Sequence, residues 1–559
     1  MMKKAVAVSL SLAMVLGGIS VSAEESSSAT DTMSSTLTAM EANGFIDSLV
    51  IGDYDNIDTS RKSTYNTDER LDQLTVYIGN EITSWTPWQA GQGREGIITI
   101  VFEPLFYYHD GYEMEACLAK DWYEEDDTHF VVEIYDYIYD TDGNNLTAQD
   151  VVESFDYFVA SGNASDFDYY ESSEAIDDYT VRFTWKEPID SITALATMME
   201  TSVYTQQAFN DHDFTTDPVG TGAYYLQSMQ TGAEYIMAVN EDYWQTDEEL
   251  RAEESLQNVE ILDYKVISDS SMAYISFQSD EIYNYTIASD NIDDFKEGGV
   301  YYDQYTVVYE KGSGRMGFSY NQAGDSIMND VNMRLAVSYA IDGDSIVAAI
   351  GSDSYISVYG EGGAGVDGYN SEWDTLENYY TVYDPDLAKE YLAQTDYNGE
   401  ELVLIAQSGN DADALCCQVV QQMLAQVGIN VTIEFYDHAI VDTYLYNLDY
   451  WDMWFFSWNG DPISQQWGRQ FDMNNYSHGA NEAGINDETL QEMIEEVQTS
   501  SGYSQELIDE IQEYITENCM SYSMYGQVTY TAYGKSLARL TTFHGHKSYA
   551  WGACEFYLD

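Results

Sequence analysis

The stretch 450–472, YWDMWFFSWNGDPISQQWGRQFD, limits the fold of this chain more than any other. Its first half is an almost unbroken aromatic run, a density that suits a buried strand, and Asn459-Gly460-Asp461-Pro462 ends the run in a turn. A strand that stops at such a turn carries side chains to a cleft, and binding residues gather on loops held by a rigid scaffold. Trp467 and Arg469 follow just beyond the break. Arg469 is the one lysine or arginine between Lys389 and Lys535. Two readings of it are open: it pairs with a nearby carboxylate, Asp452 or Asp472, or it is held out to an anionic group of a ligand.

A chain of 559 residues is too long for one compact core, so two or three domains are expected. With 44% hydrophobic and 14% aromatic residues it is globular rather than a disordered acidic tail. The net charge of -78 repels phosphate backbones and anionic lipid surfaces, which excludes nucleic acid and membrane surfaces as partners.

Lys3 and Lys4 precede an apolar run over 5–21, and Val21-Ser22-Ala23 offers the small residues that a signal peptidase reads, so 1–23 is expected to be a signal peptide for export. The run is short for a membrane span and is interrupted by Ser9, Ser11, Gly17 and Gly18. No cysteine precedes Cys117, which leaves no site for a lipid anchor in the signal region. Residues 24–64 are rich in Ser, Thr, Asp and Glu and read as a flexible leader or tether. The five cysteines are an odd number, so at least one is free in a monomer, although export permits disulfides. Without a Cys-x-x-Cys pair no structural zinc is expected, and neither a cofactor nor a metal site is read from the chain.

Order is expected from a strand at 74–78, which runs into a loop bearing Trp85 and Trp88. These indoles either stack on a ligand or cap the core. A strand at 129–134, a turn at 140–145, a helix with Thr147 as N-cap and Asp150 at its third position, and a strand at 180–186 form a small α+β unit. The two glycines of Pro218-Val219-Gly220-Thr221-Gly222 mark a backbone with unusual dihedrals or a close approach. Further strands are expected at 261–266 and 316–321. A helix over 330–340 presents Val331, Leu335 and Tyr339 on one face, and Asp342 caps a second that stops at Gly351. Asp384-Pro385 starts another helix. Leu415, Val419, Met423, Leu424 and Val427 stripe a helix that ends at Gly428 and leads into a strand at 430–435, and two amphipathic helices follow near 490–497 and 507–515. Such alternation points to an α/β lobe.

An ordered set of short motifs then carries a resemblance. Phe102-Glu103-Pro104-Leu105-Phe106, Leu146-Thr147-Ala148-Gln149-Asp150-Val151, Pro218-Val219-Gly220-Thr221-Gly222-Ala223-Tyr224 and the run from Val331 through Arg334-Leu335-Ala336 to Asp342 occur in that sequence, followed by Tyr383-Asp384-Pro385, Gly460-Asp461-Pro462 and Asn475-Tyr476-Ser477. From about residue 74 onward the chain resembles the extracytoplasmic solute-binding proteins of ABC importers, in the group that carries oligopeptides, dipeptides, nickel chelates and some oligosaccharides. All six prolines fall at the element boundaries named above.

The resemblance implies an α/β, two-lobe periplasmic-binding-protein-like fold of type II with an extra α+β subdomain in the first lobe. Lobe one would take 65–313, with the extra subdomain at about 96–216, lobe two 314–519, and 520–559 would return to lobe one. It implies a non-enzymatic, monomeric receptor, periplasmic or extracellular and associated with the cell surface through its permease, that closes on a peptide or other small ligand and presents it to that permease. The ligand-binding residues expected are Trp85, Trp88, Trp458, Asp461, Trp467 and Arg469.

One position departs from the family. In relatives that bind free peptides an aspartate lies three residues before the acidic-Pro pair and holds the peptide's α-amino group; here that position is Trp458. An indole offers a stacking face and a cation–π face in place of a carboxylate. This moves the expectation toward an oligosaccharide or another amphipathic ligand, unless Trp458 is core and Asp452 or Asp461 serves as the anchor. An exported hydrolase is the third reading. With 98 acidic residues carboxylate pairs are inevitable, and neither Gly-x-Ser-x-Gly nor His-Glu-x-x-His occurs.

Overall fold

The fold turns on two long strands, Thr306–Tyr320 and Ser521–Tyr533, which run antiparallel side by side through the middle of the molecule. The structure, a computed structural model, describes residues 57–559 apart from 83, 88–95, 110–112, 162–169, 187, 189–197, 199–200, 352, 367, 459–462, 474–480, 500–503 and 544–547. The signal segment, most of the expected leader, Trp88 and Asp461 therefore lie outside the described residues.

The two long strands cross between separate cores. Val308 and Tyr533 pack in a core built from the first part of the chain, whereas Phe318, Tyr320, Tyr522, Met524 and Tyr525 pack in a core built from 316–525. On the opposite face of the stretch that carries Val308 and Tyr533, the residues Val307, Tyr309, Val528, Tyr530 and Ala532 join a smaller cluster with Phe277, Tyr285 and Phe295. The register shifts between Lys311 and Arg315, where the strands pass from one core to the other, and again between Met316 and Gly317. A break in the ladder loosens backbone pairing there, which is where a two-lobed molecule bends.

The first core is shared by two four-stranded sheets. Leu71–Ile78 pairs in parallel with Val259–Val266, which continues antiparallel through Glu234–Val239 to Tyr224–Gln230. The second sheet is antiparallel, in the order Ala119–Asp126, His129–Ile134, Thr180–Trp185 and Tyr170–Asp177. The helix Ala148–Ala160 covers it, with Phe155 against Tyr170 and Phe183. That helix opens on the expected capping box of Thr147 and Asp150. Near the strand Tyr224–Gln230, the two glycines are needed for close approach: a Cβ on Gly220 would stand 2.1 Å from Val101 O, and one on Gly222 2.0 Å from Ile100 O. The chain's end returns to this core through Leu537, Leu540, Trp551, Cys554 and Phe556. Residues 57–64 dock on that end, with Thr64 N–H donating to Phe556 O at 2.9 Å.

The third sheet runs Asn284–Thr286, Ser521–Tyr533, Thr306–Tyr320, Met453–Trp458, Glu401–Gln407, Asn430–Tyr436, with Tyr355–Ser357 also pairing the second of these. Its helices start and stop where the sequence indicates. Asp342 caps Gly343–Ile350, Asp384 caps Pro385–Leu392, and Gly428 ends Asp411–Val427 in the left-handed region at φ 94°. The expected stripes hold in large part and are wider than expected. Val331, Leu335 and Tyr339 are half-buried against the core beside the fully buried Met333, Ala336 and Val337, and in the longer helix Val419, Met423, Leu424 and Val427 pack inward together with Cys416, Cys417 and Val420, while Leu415 is 40% exposed. Cysteine behaves as a small hydrophobe, and counting it as apolar widens the stripe. All five cysteines are free and buried. No described helix is long and apolar enough to cross a membrane.

Candidate ligand-binding site

The aromatic run folds as Met453–Trp458, with a parallel neighbour, Glu401–Gln407, on one side and the antiparallel strand Thr306–Tyr320 on the other. Alternation sorts its side chains. Met453 and Phe455 join the core around Phe318, while Trp454, Phe456 and Trp458 point the other way, toward Ile405, Val441, Leu445 and Trp451. A strand buried on both faces explains why the sequence here is nearly all apolar. Trp458 stands at the carboxyl end of the strand, the end at which α/β sheets place their ligand crevice. It is also level with the break in the crossing strands, because its register partner is Arg315.

Arg315 is the centre of the polar structure at this point and is fully buried. Directly paired residues stand on one face of a sheet, so Arg315 and Trp458 project together. The guanidinium carbon lies 5.5 Å from the ring centre of Phe456, whose register partner is Gly317. Its Nε donates to Ser523 Oγ at 2.7 Å, and Nη2 donates to Glu361 Oε2 at 3.0 Å and to the Gln470 side-chain carbonyl. Glu361 is equally buried and further accepts from Tyr380 Oη at 2.6 Å and from the backbone N–H and hydroxyl of Ser523, each at 3.0 Å. Burial alone would push the Glu361 carboxyl up, but the Arg315 guanidinium and the Tyr380 hydroxyl outweigh it and hold its pKa below the usual carboxylate value. The pair is thus an ionised, charge-neutral unit. The loop that carries Glu361 is fixed by Trp467 Nε1 donating to Glu361 O at 2.6 Å and by Glu361 N–H donating to Gln512 Oε1 at 2.9 Å.

A second buried carboxylate, Glu103 of the Phe-Glu-Pro-Leu motif, has no cation beside it among the described residues. It accepts from Tyr243 Oη (2.5 Å), Trp244 Nε1, Thr221 Oγ1 and Ser255 Oγ (2.9 Å each), and burial raises its pKa. It ties four segments of the first core together, away from the crossing strands.

The residues expected at the site fall in several places. Trp458 lies at the carboxyl end of its strand and is 7% exposed. Trp467 and Arg469 are not on a loop: they belong to the helix Ile463–Gln470, with Trp467 inside and Arg469 on the solvent side. Trp467 is packed with Ile463, Phe471 and Ile508. Asp452 takes the Val403 N–H at 2.8 Å. Trp85 is buried in the first core, edge-on to Tyr235 at 5.6 Å. Sequence reasoning passed over Arg315 and Glu361. Each had a faint signal, an isolated arginine after Gly312-Ser313-Gly314 and a glutamate inside Gly360-Glu361-Gly362-Gly363.

Two cores joined by a pair of crossing strands define the class of two-lobed binding proteins. The chain belongs to the family described as bacterial extracellular solute-binding proteins, family 5, whose middle region matches residues 113–478. It is 24% identical over 323 residues to the Dipeptide-binding protein of Escherichia coli strain K12, a match spanning 52% of this chain and 56% of that relative, just over half its length. Among solved structures, HbpA2 from Haemophilus parasuis superposes with a TM-score of 0.75 at 18% identity, covering 87% of this chain and 100% of the other. The oligopeptide-binding protein AppA from Bacillus subtilis, solved with a nonapeptide, superposes with a TM-score of 0.61 at 18% identity, covering 88% and 100%. These likenesses establish the α/β, type II binding-protein fold.

Proposed function

We propose that this protein is the exported substrate-binding receptor of an ABC importer, which captures a peptide between two lobes by hinge closure and delivers it to a membrane permease. The observation that carries the reading is the pair of strands that cross between two separate cores and break register between Lys311 and Arg315. Such a crossing lets the lobes rotate as bodies while the ligand supplies the contacts that favour the closed form. The family match and the peptide-binding relatives support the ligand class. Lobe one is taken as 65–313 and 520–559, and lobe two as 314–519. Trp458, Asp461 and Arg469 are the ligand contacts on lobe two, with Trp467 holding the helix that carries Arg469; Trp85 and Trp88 are the ligand residues of lobe one, Trp85 acting from within its core. The receptor is a monomer that performs no chemistry on its ligand and works outside the cytoplasmic membrane.

Native mass spectrometry of the protein as purified, followed by thermal-shift assays against a mixed short-peptide library, tests the reading. A retained peptide or a rise in melting temperature is expected. Silence toward all peptides would overturn the peptide assignment. An oligosaccharide is the second reading, favoured by the indole of Trp458 at the carboxyl end of its strand, and a glycan array separates the two.

A further inference from the structure

We infer that Arg315, Trp458 and Gln466 form a recognition point for an uncharged hydrogen-bond acceptor of the ligand, a carbonyl or hydroxyl oxygen, and not for an ammonium group. The inference rests on the receptor reading above and specifies the chemistry of its site. Four polar atoms in these three residues lack a hydrogen-bond partner although they are buried: Arg315 Nη1, Trp458 Nε1, and both Oε1 and Nε2 of Gln466. Buried polar groups are nearly always paired, so several orphans in one place call for a missing partner. They do share one place. Arg315 and Trp458 are register partners on one sheet face, and Gln466 lies one helical turn before Gln470, which itself accepts from Arg315.

The inventory of donors and acceptors selects the ligand group. Every acceptor beside the guanidinium is already used: Glu361 takes four hydrogen bonds, Gln470 Oε1 takes Arg315, and Ser523 Oγ takes Arg315 Nε. An ammonium placed here would meet the N–H groups of Arg315 and Trp458 and find one amide oxygen, that of Gln466. A carboxylate would add a buried charge beside a pair that is already neutral. A neutral oxygen accepts from Arg315 Nη1 and Trp458 Nε1 at no such penalty, and the Gln466 amide can both donate to and accept from a neighbouring amide or hydroxyl. Trp458 is the member of the three that retains some exposure, 7%, and marks the side from which the ligand arrives.

The test uses the full mature protein with Trp458→Phe and Gln466→Met, which remove orphaned atoms; the second nearly preserves volume, whereas the first also removes one ring of a buried indole. The probes are one short-peptide library prepared in free-amine and N-acetylated forms, and a set of neutral oligosaccharides. Free Gln466→Met is expected to melt at the wild-type temperature or above it, because unpaired polar atoms are replaced by an apolar side chain of similar size, whereas Trp458→Phe melts lower through the cavity it leaves. N-acetylated peptides or neutral glycans are expected to bind the wild type at least as well as free-amine peptides, and each substitution to weaken that binding by roughly threefold to tenfold, the loss of one neutral hydrogen bond. Whether the capped peptides or the glycans respond identifies the source of the acceptor. Binding that requires the free amine, or an affinity unchanged in both variants, overturns the inference and leaves the receptor reading standing. A wild type that binds neither peptides nor glycans removes both.

Discussion

Removing either partner of the buried Arg315–Glu361 pair is expected to destabilise the part of the molecule built on Met453–Trp458 by about 3–5 kcal/mol, whereas replacing both with apolar side chains costs far less. Both side chains are 0% exposed and their charged atoms are 3.0 Å apart. At that separation the attraction is roughly 5–6 kcal/mol for an effective dielectric of about 20, enough to offset desolvation only while both charges are present. Glu361→Gln is a sharp form of the test. Oε1 accepts from three donors and Oε2 from Arg315, so the new amide N–H must face either the guanidinium or the Tyr380 and Ser523 donors. The assay is urea denaturation read by tryptophan fluorescence for Glu361→Gln, Arg315→Met and the Arg315→Met/Glu361→Met double variant. Hydrogen exchange over 453–458 and 521–533 locates the loss. The double variant is expected to be much more stable than the sum of the single losses implies. The pH dependence supplies an independent check. Because the folded state lowers the Glu361 pKa, its contribution is present above the unfolded carboxylate value and is lost as pH falls through the lower folded value. The acid limb of the stability curve should therefore shrink in the double variant. Single variants within about 1 kcal/mol of wild type, a range typical of exposed ion pairs, would refute this account of the pair.

Three further outcomes follow from the packing. Gly222→Ala places a Cβ 2.0 Å from Ile100 O and should lower stability by about 1–3 kcal/mol or more, measured by thermal denaturation, with Gly143→Ala as a control where no atom lies within 4 Å of the new carbon but φ is 83°. All five thiols should resist a thiol reagent in the native protein and react once it is unfolded, since each is buried and free; fast reaction of any one without denaturant would contradict its burial. His212 is hydrogen-bonded at 2.7 Å to both Asp217 and Asp142, which raise its pKa. Its contribution to stability is full below the ordinary histidine value and fades as pH rises through the raised one, so an NMR titration should place the imidazole above about 6.5 and His212→Gln should flatten stability across that range.

Much of the architecture could be read from contiguous sequence. The Thr147/Asp150 box, the Asp342 and Asp384-Pro385 starts, the Gly428 stop and the aromatic strand at 453–458 each depend on residues within a few positions of one another. Caps and turns act locally, and strand burial on both faces leaves an unbroken apolar run, so one stretch of chain contains the whole signal. The ordered motifs extended this to the fold.

Tertiary structure alone decided the polar centre of the candidate site. Arg315 meets Glu361 across 46 positions, Gln470 across 155 and Ser523 across 208. Arg469, prominent in sequence because cations are scarce around it, lies on the outer side of a helix, while Gln466 and Trp467 of that helix are buried. Local patterning places residues on faces, but desolvation belongs to the packed volume. Whether a guanidinium is solvated, paired or left with an unused N–H depends on which distant segments close over it, and no window of sequence contains all of them.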